Sequence, residues 1–190
     1  MTSADYDLGY VSAALPILED YILSPDLYWS LAAKPPDSGP AYPQLTLGNL
    51  YLAIARLKAR QLSTDQETRL YKMEIELDHI RARWSVALEN KAAHSYSSRL
   101  KMWGNFLDEY RTRPENHYDR YAYEVRLRVM LRLLAPLLSA PSKVEQELLT
   151  GLDKLLQAVF IPGEFIWDGE LASGFPPDPY WYLYGRLREE

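Results

Sequence analysis

Glu76 and His79 stand three residues apart, which on a helix puts a carboxylate and an imidazole on one face. That pair is half of the ligand set of a carboxylate-bridged di-iron bundle, which needs two Glu-x-x-His pairs and two further glutamates. The second pair is missing, because His94 and His117 have no glutamate three residues before them. The expectation is a surface histidine beside a glutamate, with no metal and no other cofactor. The chain has no cysteine, which excludes disulfides, thiolate metal sites and thiol nucleophiles.

Other reaction chemistry is equally bare. There is no Gly-rich phosphate loop, no nucleophile elbow and no His-x-x-x-His pair. No catalytic residue is assigned, and an enzyme of unrecognised type is the least favoured of the three readings. Basic residues cluster at Arg56-Lys58-Arg60, Arg81-Arg83, Arg111-Arg113 and Arg126-Arg128-Arg132. Alternate positions on a helix spread around the cylinder, and these interleave with Glu74, Glu76, Asp78, Asp108 and Glu109. A solvated, salt-bridged surface is expected. The sharper alternative is a cleft in which Tyr stacks beside Arg and binds a small ligand or a nucleic acid. The net charge of −5 weighs against strong nucleic-acid binding.

One aromatic phrase occurs twice, as PDLYWSL at 25–31 and PDPYWYL at 177–183. Each copy reads as a helix start, capped by Ser24 or Asp26 in the first and by Asp178 in the second. Tyr and Trp then fall in the first turn, with Leu three residues after Tyr. So short a helix must dock to be stable. Tyr28, Trp29, Trp167, Tyr180, Trp181 and Tyr184 are therefore the candidate docking or interaction surface. The two copies either plug the core separately or meet at one end of the molecule. The function expected is a non-catalytic helical interaction or scaffold module, binding a protein partner or a second copy of itself. The alternative is the small-ligand or nucleic-acid cleft.

The elements that must position these groups follow from periodicity. The 190 residues, 47% of them hydrophobic with a mean hydropathy of −0.31, suit one domain with an ordinary soluble composition. Tyrosine is abundant, 15 against 4 Phe, which suits rims and clefts. The N-terminus lacks the basic-then-apolar pattern of a secretory signal. The most apolar run, Val129 to Leu138, is broken by Arg132 and Pro136, so no membrane role and a cytoplasmic location are expected. Helices are expected over 8–23, 25–32, 46–61, 64–112, 117–138, 142–161 and 178–188, with a Pro-rich loop over 33–45. Thr46 is a cap, and Thr64-x-x-Glu67 and Ser142-x-x-Glu145 are capping boxes. The range 64–112 reads as one rod, because Trp84, Leu88, Ala92, Tyr96 and Leu100 keep one face continuous. No strand pattern is seen. The class expected is all-α, an antiparallel helical bundle with short aromatic helices near both termini.

Overall fold

The computed structural model describes residues 2–36 and 40–189. It is mostly helical, with one small two-stranded sheet. Among the described residues no helix is long and apolar enough to cross a membrane. The loop expected over 33–45 is free of helix where described, and its middle, 37–39, lies outside the described residues.

Helix α1, Ala4–Ala14, begins where the Ser3 side chain accepts from the Tyr6 amide. A 3-10 turn holding Pro16 joins it to α2, Leu18–Leu23. The helix expected over 8–23 thus starts four residues earlier, and it tightens at the proline, which lacks an amide to donate. Helix α3, Leu47–Ala59, is capped by Thr46, whose hydroxyl accepts from the Asn49 amide at 3.1 Å.

The rod expected over 64–112 is two helices, α4, Thr64–Arg83, and α5, Ser85–Thr112. They part at Trp84, whose φ of −119° and ψ of 35° leave the helical region. Hydrogen bonds run on through the bend, Trp84 N–H to Ile80 O and Leu88 N–H to Trp84 O. The turn lets Leu77 and Ile80 of α4 and Leu88 and Ala92 of α5 all bury in the same core. The polar stretch 89–98 remains helical within α5. The α4 capping box lies one residue earlier than expected, between Ser63 and Gln66.

The range 117–138 is broken into short pieces, of which α6, Tyr121–Glu124, and α7, Arg126–Leu134, are the α-helical parts. Helix α8, Lys143–Val159, carries the capping box of Ser142 and Glu145. It stops at Phe160, where strand β1, Phe160–Phe165, begins. Strand β2, Tyr184–Leu187, pairs with it antiparallel, Phe160 opposite Leu187 and Ile161 opposite Arg186. The last helix expected, 178–188, is replaced by a single turn, α9, Pro177–Tyr180, a 3-10 turn and this strand. Gly185 explains why the end is extended. Its φ of 150° is far from helical, and a Cβ there would sit 2.6 Å from the Phe160 ring.

The first aromatic phrase is also not a helix. Trp29 is extended and exchanges backbone hydrogen bonds with Leu45 at 3.1 and 2.7 Å. Lys91 supplies the reason. Its ammonium, nearly buried, donates to the carbonyls of Ser24 at 2.6 Å and Asp26 at 2.7 Å, the oxygens a helix over 25–32 would need. The core is one cluster running from Leu8 and Leu50 through Trp103, Tyr121 and Val129 to Leu183.

Candidate functional site

The largest concentration of chemistry lies where α1, α3, α5 and α7 converge with two extended segments. They enclose a cavity of about 520 Å³. Tyr6 and Tyr10 reach it from α1, Arg56 from α3, Arg99 and Met102 from α5, and Arg126 and Met130 from α7. Each guanidinium faces inward for a local reason. Arg99 belongs to the stripe Ala92, Tyr96, Arg99, Trp103, whose members are all buried. Arg56 lies one turn before Arg60, and both reach Asp7 of α1. Arg126 opens α7 and lies over the Tyr123 ring, 3.5 Å from its centroid.

Two extended segments close the cavity. Residues 24–29 are held by Lys91 and by the Tyr21 hydroxyl, which donates to Leu27 O at 3.0 Å. This brings Tyr28 over the opening. Residues 40–44 are held from α1, Tyr6 donating to Ala41 O at 3.2 Å and Tyr10 to Gln44 O at 3.3 Å. Tyr42 packs edge-on against both tyrosines, at 4.9 and 5.6 Å. Gly9 leaves the space for its hydroxyl, which any Cβ there would displace.

The electrostatics are one-sided. The lining has three arginines and, among the described residues, no carboxylate. Arg56 is matched, because Asp7 takes both its Nε and Nη2. Arg126 has Glu124 at 3.6 Å, but Glu124 binds Arg120 more closely, at 2.9 Å. Burial lowers the pKa of Arg126, and the charges of Arg99 and Arg56 add to the effect. Arg99 is only 4% exposed and, among the described residues, has no acid partner. Its Nη2 donates to Thr46 Oγ1 at 2.9 Å and its Nη1 to Tyr28 Oη at 3.2 Å, while its buried Nε has no hydrogen-bond partner among the described residues. Burial raises the pKa of Tyr28, but hydrogen bonds from Ser98 and Arg99 outweigh it and the net shift is downward.

The six aromatic residues singled out in the sequence do not form one surface. Tyr28 alone lines this cavity, and Trp29 packs behind it, edge-on to Tyr21. Trp181 and Tyr184 line a separate groove of about 480 Å³ beside Phe160 and Pro162. Trp167 is half-buried and donates to Ala122 O at 2.9 Å, and Tyr180 packs on Phe175. No ring pair among the described residues joins the two copies of the phrase. The basic clusters are likewise divided. Arg81 and Arg111 are exposed in i, i+3 ion pairs, as a solvated surface requires, whereas Arg60 is buried and Arg128 largely so, paired with Asp153 at 2.8 Å. Glu76 and His79 are exposed, and no three metal-ligating side chains gather among the described residues.

No protein family, curated protein or solved structure matches this chain. The cavity must be read from its own chemistry.

Proposed function

We propose that this protein binds a small anionic ligand in the cavity between α1, α3, α5 and α7. The observation that carries the reading is Arg99. A guanidinium removed from water without a carboxylate is costly, and natural chains keep such a charge where something else pairs with it. Here it faces a cavity whose volume falls within the range of small-molecule sites, with apolar walls and a few convergent polar groups. The reading corresponds to a Tyr and Arg cleft for a small molecule.

The test is Arg99→Met, with thermal unfolding and titration calorimetry of the full chain against a panel of small phosphates and carboxylates. The wild type is expected to gain about 2.7 kcal/mol at a ligand concentration one hundred times Kd. The variant is expected to lose that gain while keeping or raising its intrinsic stability, because a buried unpaired charge gives way to an apolar side chain beside Met102 and Met130. A variant that is strongly destabilised yet still binds would show Arg99 to be a structural tie between Thr46 and Tyr28, and the proposal would fall.

A second reading, self-association, has one observation of its own. Val144, Leu148 and Leu155 on α8 are exposed, at 73%, 48% and 40%, and Gly151 between them meets nothing within 4 Å. Their 4-3-4 spacing is that of a coiled-coil seam. Glu147 and Lys154 flank it on one side. In an antiparallel pair related by a two-fold axis near Gly151, Glu147 of one copy faces Lys154 of the other. Light scattering is expected to give a dimer at micromolar concentration that Leu148→Glu dissociates. A monomer at every concentration up to about 100 μM would remove this reading.

A further inference from the structure

Resting on the ligand-binding reading above, we infer that the ligand is a phosphate monoester carrying a flat aromatic ring, as in a nucleoside monophosphate or an aryl phosphate. Two observations lead there, one for each end of the molecule.

The first concerns charge. Of the three lining arginines only Arg56 is gripped by a carboxylate through two nitrogens, and it shares that Asp7 with the buried Arg60. Among the described residues Arg99 has none, and Arg126 holds a share of Glu124. Two guanidiniums from two helices are therefore incompletely matched. One carboxylate would balance Arg99 and leave Arg126 as it is. A phosphate monoester carries about −1.5 to −2 charges near neutral pH and three acceptor oxygens, enough to bridge both. Tyr28 Oη, held by Ser98 and Arg99, stands beside the Arg99 guanidinium as a further polar contact.

The second concerns the walls. Tyr6 and Tyr10 have both committed their hydroxyl protons to carbonyls of the 40–44 segment. What they offer a ligand is ring surface. Leu127, Met130 and Pro43 add apolar area. Arg126 lies over the exposed Tyr123 ring, 3.5 Å from its centroid, a cation and aromatic pair of the kind beside which a base or aryl ring rests. The polar groups at this wall are side-chain amides. Asn49 uses one N–H on Gln44 O at 2.9 Å, which leaves its carbonyl oxygen to read a ring edge, and the Gln44 side-chain amide has no hydrogen-bond partner among the described residues. Flat stacking surface, an amide pair and a dianion site within one cavity describe a ring joined to a phosphate. They do not describe an aliphatic acid, which needs a long apolar channel.

The experiment titrates the full-length protein with five probes: inorganic phosphate, a nucleoside 5′-monophosphate, the same nucleoside without phosphate, phenyl phosphate and benzoate. The expected result is that a ring-bearing phosphate binds at least 100-fold more tightly than phosphate, nucleoside or benzoate. Preference for the nucleotide over phenyl phosphate identifies the amide edge as a base reader, and equal binding identifies a general aryl phosphate site; both support the inference. Affinity should also rise about tenfold from pH 5 to pH 7, as the phosphate takes its second charge with a pKa near 6. Tight benzoate binding with no pH dependence in that window would overturn the phosphate while leaving an anion cavity. Binding of inorganic phosphate as tight as that of its esters would overturn the ring. If none of the five binds and Arg99→Met changes nothing but stability, the cavity reading fails and this inference with it.

Discussion

Asp7→Asn is expected to lower the unfolding free energy by about 3–5 kcal/mol, the cost of breaking a buried ion pair by removing one partner. Asp7 is fully buried. It accepts from Arg56 Nε at 3.0 Å and Nη2 at 2.5 Å, from Arg60 Nη1 at 2.7 Å and from the Thr2 hydroxyl at 3.1 Å. Asparagine keeps the shape but removes the charge that two arginines share. It also turns an NH₂ group toward donors, so one contact becomes a repulsion. Arg60 keeps an outer partner in Glu170, but that carboxylate is half exposed and screened by water. Chemical denaturation followed by circular dichroism gives the number. The double variant Asp7→Asn with Arg60→Met should recover part of the loss, because one of the stranded charges goes with it. A loss below about 1 kcal/mol for the single variant would mean that the cluster is solvated and does not hold α1 to α3.

Trp103→Ala is expected to cost about 3–5 kcal/mol, and Trp103→Phe much less, about 1–2 kcal/mol. The indole is fully buried, stacked on Phe106 at 5.6 Å and tilted against Tyr121 at 6.4 Å. Its value is volume and ring contact, because its Nε1–H has no hydrogen-bond partner among the described residues. Phenylalanine keeps most of the stacking and removes a buried donor that nothing satisfies, which offsets part of the lost volume. Equal losses for the two variants would show that the nitrogen matters, and the account of this core position would be wrong.

Helix starts were the most legible part of the sequence. Thr46 and Ser142 cap as read, because a cap is settled within four residues by one hydroxyl and one amide. The bend at Trp84 is not local. Stepping by four keeps an apolar face continuous on a straight or a bent helix alike, and only the position of the core distinguishes them. The strand pair at 160–165 and 184–187 is too short for its period of two to rise above a helical run, and its partners are separated by α9 and its flanking turns. The doubled PDxYWxL shows the same limit from the other side. One copy is pulled straight by Lys91 and Leu45, and the other turns at Pro177–Tyr180 before a strand.

The cavity was legible in part. An arginine set into the apolar stripe Ala92, Tyr96, Arg99, Trp103 is out of place unless something buried answers it, and Asp7 stands one turn before Val11 in the same way. Clusters counted along the chain do not find this site, because Arg56, Arg99 and Arg126 come from three different helices. Tyr28 was reachable from its aromatic phrase. Tyr6, Tyr10 and Tyr123 carry no sequence signal beyond the general excess of tyrosine.

The pairing of β1 with β2 has a consequence whenever β2 comes away. Phe160–Phe165 then presents unpaired amides and carbonyls between two phenylalanines, the kind of edge on which neighbouring chains aggregate. The segment carries its own gatekeepers. Pro162 has no amide to offer a stray strand, and Glu164 sets a charge beside the phenylalanine that such a strand would cover. Replacing these two residues with valine and threonine would make a better strand on paper and a worse one in concentrated solution.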